Sequence, residues 1–161
     1  MPITIKSERE IELMTEAGRI LGIVHKELEK ALKPGMSTLD IDALGEEVIR
    51  SYGCEPSFLN YNGYPASICV SVNDEVVHGI PNAKRVLKEG DIVSLDAGVI
   101  YKGYHSDAAR TYGIGKISPE KRRLVEVTEQ CFFEALKVIK DGVRLGDVGW
   151  AICSYARSFG Y

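Results

Sequence analysis

Gly90-Asp91-Ile92-Val93-Ser94-Leu95-Asp96-Ala97-Gly98-Val99-Ile100-Tyr101-Lys102-Gly103-Tyr104-His105-Ser106-Asp107-Ala108-Ala109-Arg110-Thr111 is the stretch whose reading decides the fold. From Asp91 to Val99 it alternates. Ile92, Ser94, Asp96 and Gly98 share one face, and Val93, Leu95, Ala97 and Val99 share the other. A period of two with an apolar back predicts a half-buried strand. Lys102-Gly103 is a turn signal, and Tyr104 to Ile114 reads as the returning strand. Parity then places the acids. Directly paired residues around a two-residue turn differ by an odd number, as Asp96 and Asp107 do, so both carboxylates fall on one face of the hairpin. Asp96 is expected opposite Ala109 and diagonal to Asp107. Diagonal neighbours lie about 7–8 Å apart, near enough for two side chains to share a cation.

A plainer reading exists for two aspartates on a hairpin: one caps a strand end and the other starts a solvated strand. The flanks Ser94-Leu95-Asp96-Ala97-Gly98 and His105-Ser106-Asp107-Ala108-Ala109 surround each acid with small residues. That leaves room for a ligand and favours oxygen-rich metal binding. His78 closes a further expected strand, Ser67 to Val77, before Gly79-Ile80-Pro81. A histidine there exchanges protons near neutral pH; a core histidine satisfied by backbone is the commoner case. His105 ranks as an exposed residue, or a support for a ligand, ahead of a ligand itself.

Gly63–Pro81 (GYPASICVSVNDEVVHGIP), Gly90–Gly98 (GDIVSLDAG) and Tyr104–Tyr112 (YHSDAARTY) closely resemble the type I methionine aminopeptidases of bacteria. Lys6–Ile20 (KSEREIELMTEAGRI) and Lys140–Gly149 (KDGVRLGDVG) resemble the same family in the same order. The resemblance implies an α+β pita-bread fold, two quasi-equivalent halves with helices outside and a curved antiparallel sheet inside. It implies that Asp96 and Asp107 are metal ligands and that His78 contacts substrate at the scissile peptide. Phe58, Tyr61, Tyr64 and Cys69 would line the pocket for a methionine side chain; from the residues alone they read as ordinary core. Aromatic rings and a thiol suit a thioether.

The activity implied is removal of the initiator methionine from nascent polypeptides by a dinuclear-metal aminopeptidase, with Mn, Fe, Co or Zn as the two divalent ions. Polypeptide N-termini with a small second residue are the implied partners, with the ribosome as a further one, and a monomer is expected of the complete protein. The family's other metal ligands, one histidine and two glutamates, and a second catalytic histidine are expected beyond Tyr161. The chain is therefore expected to be C-terminally incomplete and inactive alone. A proline-specific peptidase or creatinase relative, and a non-catalytic binding module on the same fold, are the rival readings.

With 45% hydrophobic and 27% charged residues and a net charge of −3, the chain has an ordinary soluble composition without the basic excess of a nucleic-acid surface. No apolar run opens it at Met1-Pro2-Ile3-Thr4-Ile5-Lys6, so neither a secretory signal nor a membrane anchor is expected. Cys54, Cys69, Cys131 and Cys153 form no C-x-x-C pair and read as free thiols of a reducing cytoplasm.

Helices are expected around the core stretch. Ser7-Glu8-Arg9-Glu10 is a capping box, followed by the stripe Met14, Ala17, Leu21, Val24, Leu28 and Ala31, and stopped by Pro34-Gly35. Ser37 or Thr38 caps a second helix with Ile41, Leu44, Val48 and Tyr52 inward and Gly53 at its end. Ser118-Pro119 starts a third, with the stripe Leu124, Val127, Cys131, Ala135 and Val138. A fourth carries Val148, Ile152, Tyr155 and Phe159 inward. Lys33, Gly35, Asp40, Arg50, Ser51 and Gly53 recur 107 positions later as Lys140, Gly142, Asp147, Arg157, Ser158 and Gly160. Residues 1–161 are thus expected as one incomplete domain: 1–117 the first half of a repeat, 118–161 the helices of the second, with apolar stripes left exposed.

Overall fold

The computed structural model describes residues 4–161, so the reading of Met1-Pro2-Ile3 lies outside it. The chain divides into two compact units, Met1–Ile117 and Ser118–Tyr161. Among the described residues no helix is long and apolar enough to cross a membrane.

The first unit runs α1 (Glu8–Ala31), α2 (Thr38–Ser51), β1 (Glu55–Pro56), a 3-10 turn (Tyr61–Gly63), β2 (Ile68–Val72), β3 (Ile92–Tyr101) and β4 (Tyr104–Gly113). Both helices start on reciprocal caps. The amide of Ser7 donates to the Glu10 carboxylate at 2.7 Å, and that of Ser37 to Asp40 at 2.9 Å, which satisfies amides that have no partner in the first turn. α1 buries Ala17, Ile20, Leu21, Val24, His25 and Leu28. The stripe is wider than the strict three-and-four repeat, which omits Ile20 and His25. On α2, Ile41 and Ile49 are buried. Tyr52, expected inward, is exposed. It is the C-cap, and Gly53 at φ 66° turns the chain away immediately after it.

The sheet is antiparallel. β3 is its centre: β4 pairs along one edge, and β2 and β1 share the other. Val93, Leu95, Ala97 and Val99 are fully buried in one cluster with Leu21, Val24, Leu28, Ile41 and Ile49. Burying each such aliphatic side chain is worth about 1.5–3 kcal/mol, so the helix layer fixes which face of β3 is left for the acids. The carboxylate of Asp42, buried on α2, accepts the amides of Ser67 and Ile68 at 2.9 Å each and so anchors the start of β2.

One strand is shorter than expected. β2 stops at Val72 rather than Val77. Asn73 takes a left-handed φ of 56°, and Glu75 turns back to accept the Val72 amide at 2.7 Å. Asn73-Asp74 is a turn dipeptide inside an apolar run, and the turn chemistry prevails over the β-branched residues around it.

The second unit holds α3 (Pro119–Val138) and α4 (Leu145–Ser158). Ser118 caps α3, with Pro119 in its first turn. Val127, Cys131 and Ala135 are buried, and the Cys131 thiol donates to the Ile152 carbonyl at 3.7 Å. No residue of α4 is buried; Ile152 and Phe159, expected inward, are exposed. Phe132, Phe133, Leu136, Ile139, Leu145 and Trp150 are exposed as well. The offset of 107 recurs in the coordinates. α2 and α4 each span 14 residues with bounds 107 apart. Asp147 accepts the Arg144 amide at 3.0 Å, as Asp40 accepts that of Ser37. Gly35 and Gly142, and Gly53 and Gly160, all have positive φ.

Candidate active site

The site begins with the hairpin turn. Lys102 and Gly103 have φ values of 48° and 84°, the two left-handed residues of a turn whose twist matches the strands it joins. This fixes the register: Asp96 lies opposite Ala109, and Gly98 opposite Asp107. The two carboxylates are therefore diagonal on the face away from the helices, as parity requires. Burial, followed by the charge and hydrogen bond of Asp107, pushes the Asp96 carboxyl up to about 6, while the His78 charge pulls the other way.

Three further segments close on this pair. β2 places Cys69 directly across the ladder from Asp96. Burial and then the neighbouring carboxylates push the thiol up, so it stays neutral, although a hydrogen bond from Tyr64 partly opposes this. The Tyr64 hydroxyl lies 3.1 Å from the Ile68 carbonyl oxygen and 3.2 Å from that of Gly79, holding its ring beside Cys69. Phe58 arrives through a close approach. The Ser57 amide donates to the Gly98 carbonyl at 3.0 Å, and a Cβ on Gly98 would lie 2.9 Å from the Phe58 ring. Only glycine on β3 lets that loop lie so low.

His78 comes from the segment after β2. Its φ is 58°, an uncommon conformation for histidine that costs about 1–2 kcal/mol. Its neighbour pins it. Gly79 accepts the Val70 amide at 2.9 Å and donates to the Ser71 hydroxyl at 3.0 Å. A Cβ on Gly79 would overlap the Val70 carbonyl.

The result is one cavity of about 470 Å³, lined by Phe58, Tyr61, Asn62, Tyr64, Cys69, His78, Ile80, Asp96 and Asp107. All seven side chains singled out from the sequence meet there. Asn62 and Ile80 were not foreseen; each is a neighbour of a predicted residue in a loop whose path only the fold defines. Tyr61 stays mostly exposed. His105 does not line the cavity; it is exposed, with Nδ1 3.1 Å from the Ser57 hydroxyl.

The donors fit a divalent cation. A cation held by Asp96 and Asp107 would offset the burial and the repulsion that perturb Asp96. Among the described residues no group of three or more histidine, cysteine, aspartate or glutamate side chains gathers to hold a metal, so these two form a partial ligand set. The sign of the pH effect follows, because a proton and a cation compete for the same oxygens. Cation affinity is expected to fall as pH drops through about 6. Calorimetric titration with Mn²⁺ at about pH 7.5 and about pH 5.5 should give weaker binding and more proton release at the lower value. Equal affinity at both would remove Asp96 from the ligand set.

The curved antiparallel sheet, the outer helices and the paired acids define a metallopeptidase of the pita-bread class. The chain belongs to metallopeptidase family M24, whose profile it matches over residues 12–161. It is 51% identical over 159 residues to the methionine aminopeptidase of Clostridium acetobutylicum, an alignment covering 99% of this chain and 64% of that protein. The crystal structure of methionine aminopeptidase from Rickettsia prowazekii superposes with a TM-score of 0.96 at 37% identity, again over 99% of this chain and 64% of that one. The Xaa-Pro dipeptidase of Bacillus anthracis superposes with a TM-score of 0.84 at 24% identity, a likeness of fold alone. The chain thus spans 64% of the length of the methionine aminopeptidases it matches.

Proposed function

We propose that this chain carries the substrate pocket and part of the metal centre of an enzyme that removes the N-terminal methionine from nascent polypeptides. The observation that carries the reading is the single cavity in which Asp96, Asp107 and His78 meet Phe58, Tyr61, Tyr64 and Cys69. The aromatic and thiol walls take a methionine side chain, whose sulfur gains about 0.3–1.5 kcal/mol from contact with rings. Asp96 and Asp107 would hold divalent ions, two in number and drawn from Mn, Fe, Co or Zn. When bound, these supply a nucleophile at neutral pH and polarise the scissile carbonyl. His78, an exposed residue of the cavity lining, donates a hydrogen bond to the substrate peptide as charge develops on its oxygen.

The matching helices and caps at an offset of 107 support reading Met1–Ile117 as one half of an internal duplication and Ser118–Tyr161 as the helices of the other. The proposed setting is a cytoplasmic monomer meeting polypeptides at or near the ribosome.

The test is a peptide assay on a chimera that joins this chain to the remaining C-terminal part of the Clostridium acetobutylicum methionine aminopeptidase, because residues 1–161 are expected to be inactive alone. Met-Gly-x and x-Pro peptides are offered with Mn²⁺, with and without a chelator. Chelator-sensitive release of methionine from Met-Gly-x alone is expected. Cleavage of the x-Pro peptides instead would move the protein to the proline-specific branch. Mn²⁺ binding without turnover of either would favour a binding module.

A further inference from the structure

His25 is the one buried histidine among the described residues. It lies on α1, outside the cavity, and the chemistry proposed above makes no use of it. It also departs from the pattern around it. Leu21, Val24 and Leu28 are apolar and buried, whereas a buried imidazole costs stability unless its polar atoms find partners.

Its partners lie on β4. Nε2 is 3.0 Å from the Ala108 carbonyl oxygen, and Nδ1 is 3.4 Å from the Tyr112 hydroxyl. A carbonyl oxygen only accepts, so Nε2 carries the hydrogen. Nδ1 is then the acceptor in a neutral ring, and the Tyr112 hydroxyl, 3.4 Å from both Nδ1 and the His25 carbonyl oxygen, has its one hydrogen to give to either. Burial pushes the imidazole down from its ordinary value, and the Arg110 charge adds to that, so neutrality holds at physiological pH.

The place of this contact matters more than its strength. α1 touches β4 through polar atoms at several points: Tyr104 with Glu10, Ser106 with the Ala17 carbonyl, and Ala108 and Tyr112 with His25. All fall on the β4 face opposite Asp107. Of these contacts, the His25 bond is the one that reaches the Ala97–Ala108 pair, whose members immediately follow Asp96 and Asp107. Both are alanines, so no large side chain holds the ladder from the helix side at this rung.

We propose that His25 is a positioning residue for the acidic pair: its Nε2–H clamps the Ala108 carbonyl and fixes the rung from which Asp96 and Asp107 project. The proposal rests on the reading of those two aspartates as cation ligands.

The experiment measures Mn²⁺ affinity by calorimetry near neutral pH, with melting temperature recorded for every variant. His25→Leu fills the space without a donor. His25→Gln keeps an amide N–H close to the place of Nε2. Ile49→Val is a core change on α2 that removes no hydrogen bond, and Asp107→Asn tests the ligand reading itself. His25→Leu is expected to weaken Mn²⁺ binding about tenfold, the low end of the loss of about 10–100-fold seen when a partner that orients a ligand is removed. His25→Gln is expected to restore most of it. Ile49→Val is expected to lower the melting temperature and leave affinity unchanged. Wild-type affinity in His25→Leu, an equal loss in His25→Gln, or an equal loss in Ile49→Val would each overturn the proposal. The ligand reading stands if Asp107→Asn loses Mn²⁺ while His25→Leu does not. Wild-type affinity in Asp107→Asn would overturn that reading and the proposal together.

Discussion

Asp96→Asn is expected to remove activity and, with cations chelated, to make the protein more stable. The two effects share one cause. Asp96 is pushed up to about 6 by burial and by Asp107, so near neutral pH the folded chain holds two mutually repelling acids. A carboxyl whose folded value is raised binds its proton more tightly folded than unfolded. Its presence therefore favours the fold below the ordinary value of 3.8, and that support is lost as pH rises through about 6. Asparagine has no charge to repel and keeps the shape. The stability difference between wild type and variant should thus favour the variant at pH 8 (a value well above the titration, about two units) and shrink as pH falls. Turnover should fall about a thousandfold or more, since charge stabilisation by a bound cation is worth several kcal/mol in the transition state. Thermal melts of residues 1–161 with chelator, and Mn²⁺ peptide assays of the chimera, read the two arms. Full turnover in the variant, or a destabilised variant at high pH, would contradict the assignment.

Gly79→Ala is expected to have the second-largest effect, although residue 79 carries no chemistry. Its added methyl would overlap the Val70 carbonyl, which belongs to the backbone of β2 and has little room to yield. The segment must lift, and the hydrogen bonds to the Val70 amide and the Ser71 hydroxyl go with it. His78 is its immediate neighbour and is already held in a left-handed conformation. A shift of about 1 Å at a positioned group costs about a hundredfold in rate. Stability should fall by about 1–3 kcal/mol, typical of an overpacked site. Mn²⁺ affinity should change little, because Asp96 and Asp107 stand on β3 and β4, so turnover lost with cation binding kept is the diagnostic result. An unperturbed enzyme would mean that the segment after β2 adapts freely and does not fix His78.

These two residues also mark what the sequence made legible. The Asp96–Asp107 relation followed from parity across a two-residue turn, because a period of two leaves a paired strand only two faces. Its register holds to the residue. Gly79 could not be found in that way, because close approach between segments is a property of the folded chain. The path of His78 was missed for a local reason. The apolar residues on either side of Asn73-Asp74 suggested a continuous strand, yet Asn73 leaves β geometry and the segment beyond packs back along β2. On α1 the apolar repeat located the buried face but passed over His25, whose burial depends on atoms offered by β4. Tyr52 was misplaced for the opposite reason: it continues the repeat of α2 by one step, and the helix ends there.

The left-handed turn at Lys102-Gly103 has a consequence for the order of assembly. It joins two strands adjacent in the chain, and hairpins of this kind close within about 1–10 μs. The acids it aligns are only eleven positions apart in the chain. During synthesis at about 5–20 residues per second, that hairpin has many thousands of opportunities to form before the ribosome adds the next residue. The diagonal of Asp96 and Asp107 is thus set by contacts local in the chain, ahead of those between distant segments.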